Sequence, residues 1–107
     1  MTRLLNEDER AVLRRILAGR PGLLAQVDRA EVVATWAPGS VSVDIEVPGA
    51  IPDGDLNGVF PRLALVEDAG EFLVWVAQGV LSGLEYATYL GEYPTSLPDA
   101  ETISFPE

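Results

Sequence analysis

Hydrophobic and polar positions follow a helical period at the start of the chain and a strand period after it. An apolar stripe with the three- and four-residue spacing of a helix face is formed by Val12, Leu13, Ile16 and Leu17. Asn6 and Glu9 have the spacing of a capping box, in which each side chain accepts a hydrogen bond from the other's backbone. The pattern predicts a helix over residues 6–18, which ends at the Gly-Arg-Pro-Gly run of residues 19–22.

From residue 31 onward the apolar positions favour strands. Residues 40–47 alternate, with Val41, Val43, Ile45 and Val47 on one face and Ser42, Asp44 and Glu46 on the other. Further strands are predicted over residues 31–37, 62–66, 71–77 and 80–89, because these runs are rich in Val, Leu, Trp and Tyr. The short links between them favour antiparallel pairing of neighbours in sequence.

These elements predict one α+β domain over residues 1–107, in which residues 1–29 are helical and residues 30–89 form an antiparallel meander. Residues 90–107 carry three prolines and are expected to be an extended tail. The N-terminal helix or helices should pack on one face of a two-layer structure with a sheet of about five strands. The helix should cover the Val41 and Val43 face, so that Asp44 and Glu46 lie on an open face.

The amino-acid composition excludes most of the common catalytic mechanisms. The chain has no His, no Cys and no Lys, so all seven cations are Arg. This excludes Ser-His and Cys-His catalysis, thiolate metal sites, Schiff bases and the phosphate loop that needs Lys. We therefore expect no enzymatic activity, no cofactor and no metal. Because the chain lacks a long apolar run, we expect neither a signal peptide nor a membrane span. The expected location is therefore the cytoplasm.

Charge is distributed unevenly along the chain, whose net charge is −10. The first 30 residues hold six of the seven arginines, whereas 13 of the 17 acids follow them. Such an acidic surface repels nucleic acid and attracts basic proteins. The alternative is that the acidity only keeps the protein soluble. We expect the protein to bind a basic protein partner and to bind neither nucleic acid nor membrane. It is expected to be a monomer or a homodimer.

Two motifs bear on metal and acid–base chemistry. The Asp-Gly-Asp-Leu-Asn-Gly run of residues 53–58 matches the start of a calcium loop, but its twelfth position is Ala64 instead of the required Glu. The same residues are typical of ordinary turns, which is the interpretation we adopt. Asp44 and Glu46 are about 7 Å apart on one strand face, a spacing that could serve glycoside hydrolysis. Both should be solvated, which favours a binding surface over catalysis.

The aromatic residues offer a second kind of binding site. Trp36 and Trp75 fall in predicted strands and are expected in the core. Tyr86, Tyr89 and Tyr93 lie near Glu85 and Glu92, a composition common in protein interfaces. The alternative is that Tyr86 and Tyr89 lie on opposite strand faces, so that at least one of them packs inward.

The last third of the chain resembles the C-terminal half of small acidic proteins common in actinobacteria. The matching residues are the strand pair around Trp75, the run Leu-Ser-Gly-Leu-Glu-Tyr at 81–86 and the turn Glu-Tyr-Pro-Thr at 92–95. Some of these proteins resemble immunity proteins that are encoded beside polymorphic toxins. The resemblance implies a non-catalytic inhibitor of a cognate toxin.

Charge and resemblance together predict a protein that neutralises a basic protein partner, most concretely as an immunity protein. The alternative is a structural or homo-oligomerising module. The expected partner-binding residues are Asp44, Glu46, Asp53, Asp55, Glu85, Tyr86, Tyr89, Glu92 and Tyr93.

Overall fold

A computed structural model describes residues 2–89, 91 and 94–106, which form two α-helices and eight β-strands. The helices are α1 (Glu7–Ile16) and α2 (Pro21–Gln26), and short 3₁₀ turns lie at Val27–Arg29 and Ala100–Thr102. The strands are β1 (Arg3–Leu4), β2 (Glu31–Thr35), β3 (Val43–Glu46), β4 (Gly58–Val59), β5 (Ala64–Val66), β6 (Gly70–Ala77), β7 (Val80–Thr88) and β8 (Ile103–Ser104). The α+β class is thus confirmed.

Helix α1 begins at the predicted capping box. The Glu9 N–H donates to Asn6 Oδ1 at 2.8 Å, and the Asn6 N–H donates to Glu9 Oε1 at 2.9 Å. The predicted apolar stripe is buried, since each of its four residues is at most 1% exposed. This face of the helix is therefore part of the core, as the spacing predicts.

An ion pair between an exposed arginine and a buried glutamate joins the first strand to this helix. Arg3 donates to both carboxylate oxygens of Glu9, from Nη1 at 2.8 Å and from Nη2 at 3.0 Å. The hydrogen bond to Glu9 raises the pKa of the Arg3 guanidinium. Because Glu9 also caps α1, one carboxylate fixes both the start of the helix and its position against β1.

The strands form one sheet in the order β1-β2-β3-β7-β6-β5-β8, with β4 paired to β6 beside β5. Every pairing among the described residues is antiparallel. The expectation of about five strands is too low. The meander is also incomplete, because β3 pairs with β7 and not with the next strand in sequence. The β6–β7 hairpin places its second strand against β3, which moves β4 and β5 to the far side of β6.

The three strands missing from the prediction have two residues each, β1, β4 and β8. They lie in the segment before α1, between the strands predicted over residues 40–47 and 62–66, and in the proline-containing tail. A two-residue strand is too short to show an alternating pattern, and only its pairing partner defines it. The tail is accordingly more structured than an extended segment, because a 3₁₀ turn precedes β8.

The core lies between the helices and one face of the sheet. Fully buried side chains come from α1 and α2 and from alternate positions of β3, β6 and β7, among them Leu13, Leu23, Val43, Val74 and Leu84. Tail residue Ile103 is buried in the same cluster. No helix among the described residues has both the length and the apolar character that crossing a bilayer requires.

Candidate functional site

The face of the sheet away from the helices, here called the open face, is formed by the other set of alternate positions. In β3, Val43 and Ile45 are buried whereas Asp44 and Glu46 are exposed. In β6 and β7 the same alternation leaves Glu71, Leu73, Trp75 and Glu85 partly exposed. The buried hydrophobic residues of these strands all belong to the core on the helix side. Asp44 and Glu46 therefore lie on an open sheet face, as the alternation predicts.

Strand register places five carboxylates on the open face, those of Glu31, Asp44, Glu46, Glu71 and Glu85. Glu31 lies directly opposite Glu46 on the neighbouring strand. Like charges in this relation repel each other and destabilise a sheet. The open face thus carries a repulsion that positive charge from another molecule would relieve.

Trp75 lies near the middle of the open face. The register aligns Asp44, Gly83, Trp75 and Val59 in one row across four strands. A Cβ added at Gly83 would lie 3.5 Å from the Trp75 Cβ and 3.7 Å from its Cδ1, so the indole lies beside a position without a side chain. The Trp75 Nε1–H donates to Glu85 Oε1 at 3.1 Å. This hydrogen bond orients both the ring and the carboxylate.

A cleft of about 400 Å³ adjoins the same carboxylate. It lies between the turn that connects β2 to β3 and the second half of β7, and its lining includes Trp36, Val41, Glu85 and Thr88. Trp36 is 46% exposed, so the expectation that it belongs to the core is wrong. Trp36 directly follows the end of β2 at Thr35 and lies in the turn that lines the cleft.

All seven arginines lie within the described residues, and five of them make ion pairs or hydrogen bonds on the helix side. Ion pairs join Arg3 to Glu9, Arg14 to Asp28 and Arg20 to Asp53. Arg62 donates to the Ile16 carbonyl at the end of α1 at 2.8 Å. Arg15, the fifth, belongs to α1, as does Arg10, and Arg29 belongs to the 3₁₀ turn after α2. The two sides of the sheet therefore differ in charge, with arginines around the helices and carboxylates on the open face.

The structure brings only some of the predicted binding residues together. Asp44, Glu46 and Glu85 share the open face. Asp53 instead accepts a hydrogen bond from Arg20 Nε at 2.9 Å, and Asp55 is exposed in the same loop. These two acids lie near the Gln78–Gly79 turn, since the Asp53 N–H donates to the Gly79 carbonyl at 2.9 Å.

The predicted tyrosines also separate. Tyr86 is 9% exposed and lies against Phe72 in the core, with ring centroids 4.8 Å apart. Tyr89 follows the end of β7 and is exposed. At least one tyrosine thus packs inward, which is the alternative that strand geometry left open. Glu92 and Tyr93 lie outside the described residues.

The Asp-Gly-Asp-Leu-Asn-Gly run forms a loop that is bonded to the hairpin. Asn57 Oδ1 accepts from the Gln78 N–H at 2.8 Å, and its Nδ2 donates to the Asp55 carbonyl at 3.2 Å. Because Asp53 is paired with Arg20, these polar groups have structural partners. Within residues 2–89, 91 and 94–106 no group of three or more acids could hold a metal ion.

Sequence reasoning missed Glu31, Glu71 and both tryptophans as members of this region. One signal was present in β6, where Glu71 has the same parity as Leu73 and Trp75. A charged residue at one end of an alternating run marks the solvent side for the whole set. The position of Trp36 had no such signal, because it depends on where β2 ends.

The chain matches no protein-family model, and comparisons with curated proteins and with solved structures give no significant match.

Proposed function

We propose that the protein is a non-catalytic binding protein whose open face docks on a basic protein. The observation that carries this proposal is the placement of five carboxylates on the same sheet face as the partly exposed Trp75, with the ion-paired arginines on the other side of the sheet. A charge-segregated surface of this kind steers a basic partner towards one face and fixes its orientation. Trp75 adds the aromatic area that interface centres favour.

The most concrete role of this kind is that of an immunity protein that inhibits a cognate toxin. Many toxins that act on nucleic acid have basic substrate clefts, which bind phosphate through Lys and Arg. A sheet face with carboxylates at alternate positions can occupy such a cleft in place of the phosphates. In support of this role, the chain resembles small acidic proteins in its last third, including the strand pair around Trp75.

The test uses the purified product of the neighbouring gene as the partner. We expect binding that weakens several-fold between ionic strengths of about 0.05 M and about 0.3 M, because steering charges are screened within a Debye length. Replacing Asp44 and Glu46 by Arg should weaken binding by at least about tenfold, since like charges then meet across the interface.

A matched double reversal, Glu67→Arg with Glu101→Arg, serves as the control. Both residues are exposed, and neither occupies an alternating position of the open face. The control changes net charge by the same amount, so it separates a local contact from an effect of total charge. Equal losses in the two double variants would show that the open face is not the binding site.

The alternative of a homo-oligomerising module is tested with the same samples. In a symmetric dimer that used this face, the carboxylates around Glu46 would meet their own copies, which costs free energy. We therefore expect sedimentation to show that self-association, if present, persists in the Asp44→Arg, Glu46→Arg variant. Self-association that the reversal abolishes would instead favour the alternative.

A further inference from the structure

Glu85 contacts one of the two tryptophans of the chain and lines a cleft with the other. On one side, its Oε1 accepts from the Trp75 indole at 3.1 Å. On the other side, it lines the cleft of about 400 Å³ together with Trp36. Both tryptophans remain partly exposed to solvent near this carboxylate. Exposing two large aromatic side chains at one place is unusual for a surface that contacts only water.

The Glu85 carboxylate keeps most of its capacity to accept hydrogen bonds. An ionised carboxylate offers about four lone-pair sites, and the Trp75 indole occupies one of them. None of the three ion pairs among the described residues includes Glu85. A negative group with free acceptor sites and flanking aromatic rings is suited to a cation supplied from outside the chain.

The chain's own arginines show what such a cation does next to an aromatic ring. The Arg62 Cζ lies 3.7 Å from the centroid of Phe105, and the Arg15 Cζ lies 5.4 Å from the same centroid. Indole attracts cations more strongly than the phenyl ring does. Because these arginines are bonded on the helix side, they do not supply a cation to the cleft.

Of the two cationic side chains, arginine fits this site better than lysine. The guanidinium is planar, so it can stack on an indole while its N–H groups donate in plane to a carboxylate. An ammonium is a compact and strongly hydrated charge that gains less from stacking. We infer that Trp36, Glu85 and Trp75 form the subsite of the open face that receives an arginine side chain of the partner. This inference rests on the proposed function, because it specifies which side chain the same face binds.

The test uses a short peptide of alternating Arg and Gly as the probe, compared with the same peptide containing Lys. Since both tryptophans belong to the site, intrinsic fluorescence reports on it directly. We expect the arginine peptide to change the emission and to bind about three- to tenfold more tightly than the lysine peptide. Calorimetry measures the same affinities in variants that lack a tryptophan.

Glu85→Gln and Trp36→Leu should each remove most of the preference for arginine. Glu67→Gln is the matched control for charge, because Glu67 is exposed in the turn after β5. Near-ultraviolet circular dichroism and thermal unfolding check that the variants remain folded. A preference for arginine that survives in both Glu85→Gln and Trp36→Leu overturns the inference.

The outcomes separate this inference from the proposed function. If the Asp44→Arg, Glu46→Arg variant loses both peptides but Glu85→Gln keeps the preference, the face binds cations and the subsite is wrong. If native protein binds both peptides equally, the subsite is also wrong, and the neighbouring gene product still tests the face. If Glu85→Gln and Trp36→Leu both lose the preference while the Glu67→Gln control keeps it, the subsite is supported.

Discussion

Replacing Gln26 by Met should destabilise the fold, mainly because one buried backbone N–H loses its acceptor. Gln26 ends α2 and is 4% exposed. Its Nε2 donates to the Gly79 carbonyl at 2.9 Å and to the Ile51 carbonyl at 3.1 Å, while its Oε1 accepts from the Leu81 N–H at 2.9 Å. One amide thus joins the helix to the hairpin and to the loop before β4.

The three partners of this amide differ in what they lose when it is removed. The Gly79 carbonyl keeps the Asp53 N–H as a donor, and the Ile51 carbonyl lies in an exposed residue that water can reach. The Leu81 N–H lies next to the register shift between β6 and β7, in a residue that is 1% exposed. It would be left without a partner, at a cost of about 1–3 kcal/mol. With the lost bonds to the two carbonyls, we expect a total of about 2–4 kcal/mol.

Urea unfolding of native protein, Gln26→Met and Gln78→Met measures this difference. Methionine nearly preserves the volume of glutamine, so little cavity or overpacking energy contributes. Gln78 is exposed at the tip of the hairpin, and its Met variant should change stability by less than about 0.5 kcal/mol. A Gln26→Met protein as stable as the control would refute the reasoning, because the Leu81 N–H would then have access to water or to another acceptor.

Three further variants test the core, the hairpin turn and the open face. Ile16→Ala should cost roughly 2–5 kcal/mol in urea unfolding, because Ile16 is 1% exposed; a change within about 0.5 kcal/mol would exclude it from the core. Gly79→Ala should cost at least about 2 kcal/mol in the same assay, because φ is +78° and the added Cβ would lie 2.5 Å from the Gly54 carbonyl oxygen. Glu46→Gln should instead stabilise the fold by a few tenths of a kcal/mol at low salt, because it removes the repulsion with Glu31 opposite it. A loss of stability there would show that the two carboxylates do not repel each other.

The N-terminal helix could be predicted because its determinants are local. The reciprocal bonds of Asn6 and Glu9 and the spacing of the apolar stripe are contained within one helix and its cap. The alternation of β3 is equally local, and it correctly separated Val43 from Asp44. Features that depend on a few consecutive residues are therefore well determined by the sequence.

The topology could not be predicted because it depends on contacts between distant residues. Alternation shows that β3 has a buried face, but it does not show that the strand pairs with β7 through Val43 and Leu84. The role of Gln26 was missed for the same reason, since its bonds reach residues 25 to 55 positions away. In a helix as short as α2, the sequence pattern does not show whether a polar residue is buried or exposed.

The candidate site was predicted in part. The correct position of Asp44 and the wrong positions of the two tryptophans have the same cause, which is that the prediction used only local hydrophobicity. Asp44 was placed correctly because its neighbours in sequence are apolar. Trp36 and Trp75 were assigned to the core because large apolar residues usually lie there. Their actual positions depend on the end of β2 and on the register that sets Trp75 opposite Gly83. Hydrophobicity alone therefore gave the wrong side of the sheet for the residues that we propose bind arginine.

The proposed binding role would give the acidity a reason beyond solubility, and the distribution of charge supports it. On the helix side, Asp28 and Asp53 are each paired with an arginine of the same chain. On the open face, Glu31 and Glu46 oppose each other although a neutral residue at either position would relieve the repulsion. A sheet selected only for stability would not keep two carboxylates in this relation. Their retention is expected if a basic partner neutralises them, so the pair that weakens the free protein should strengthen the complex.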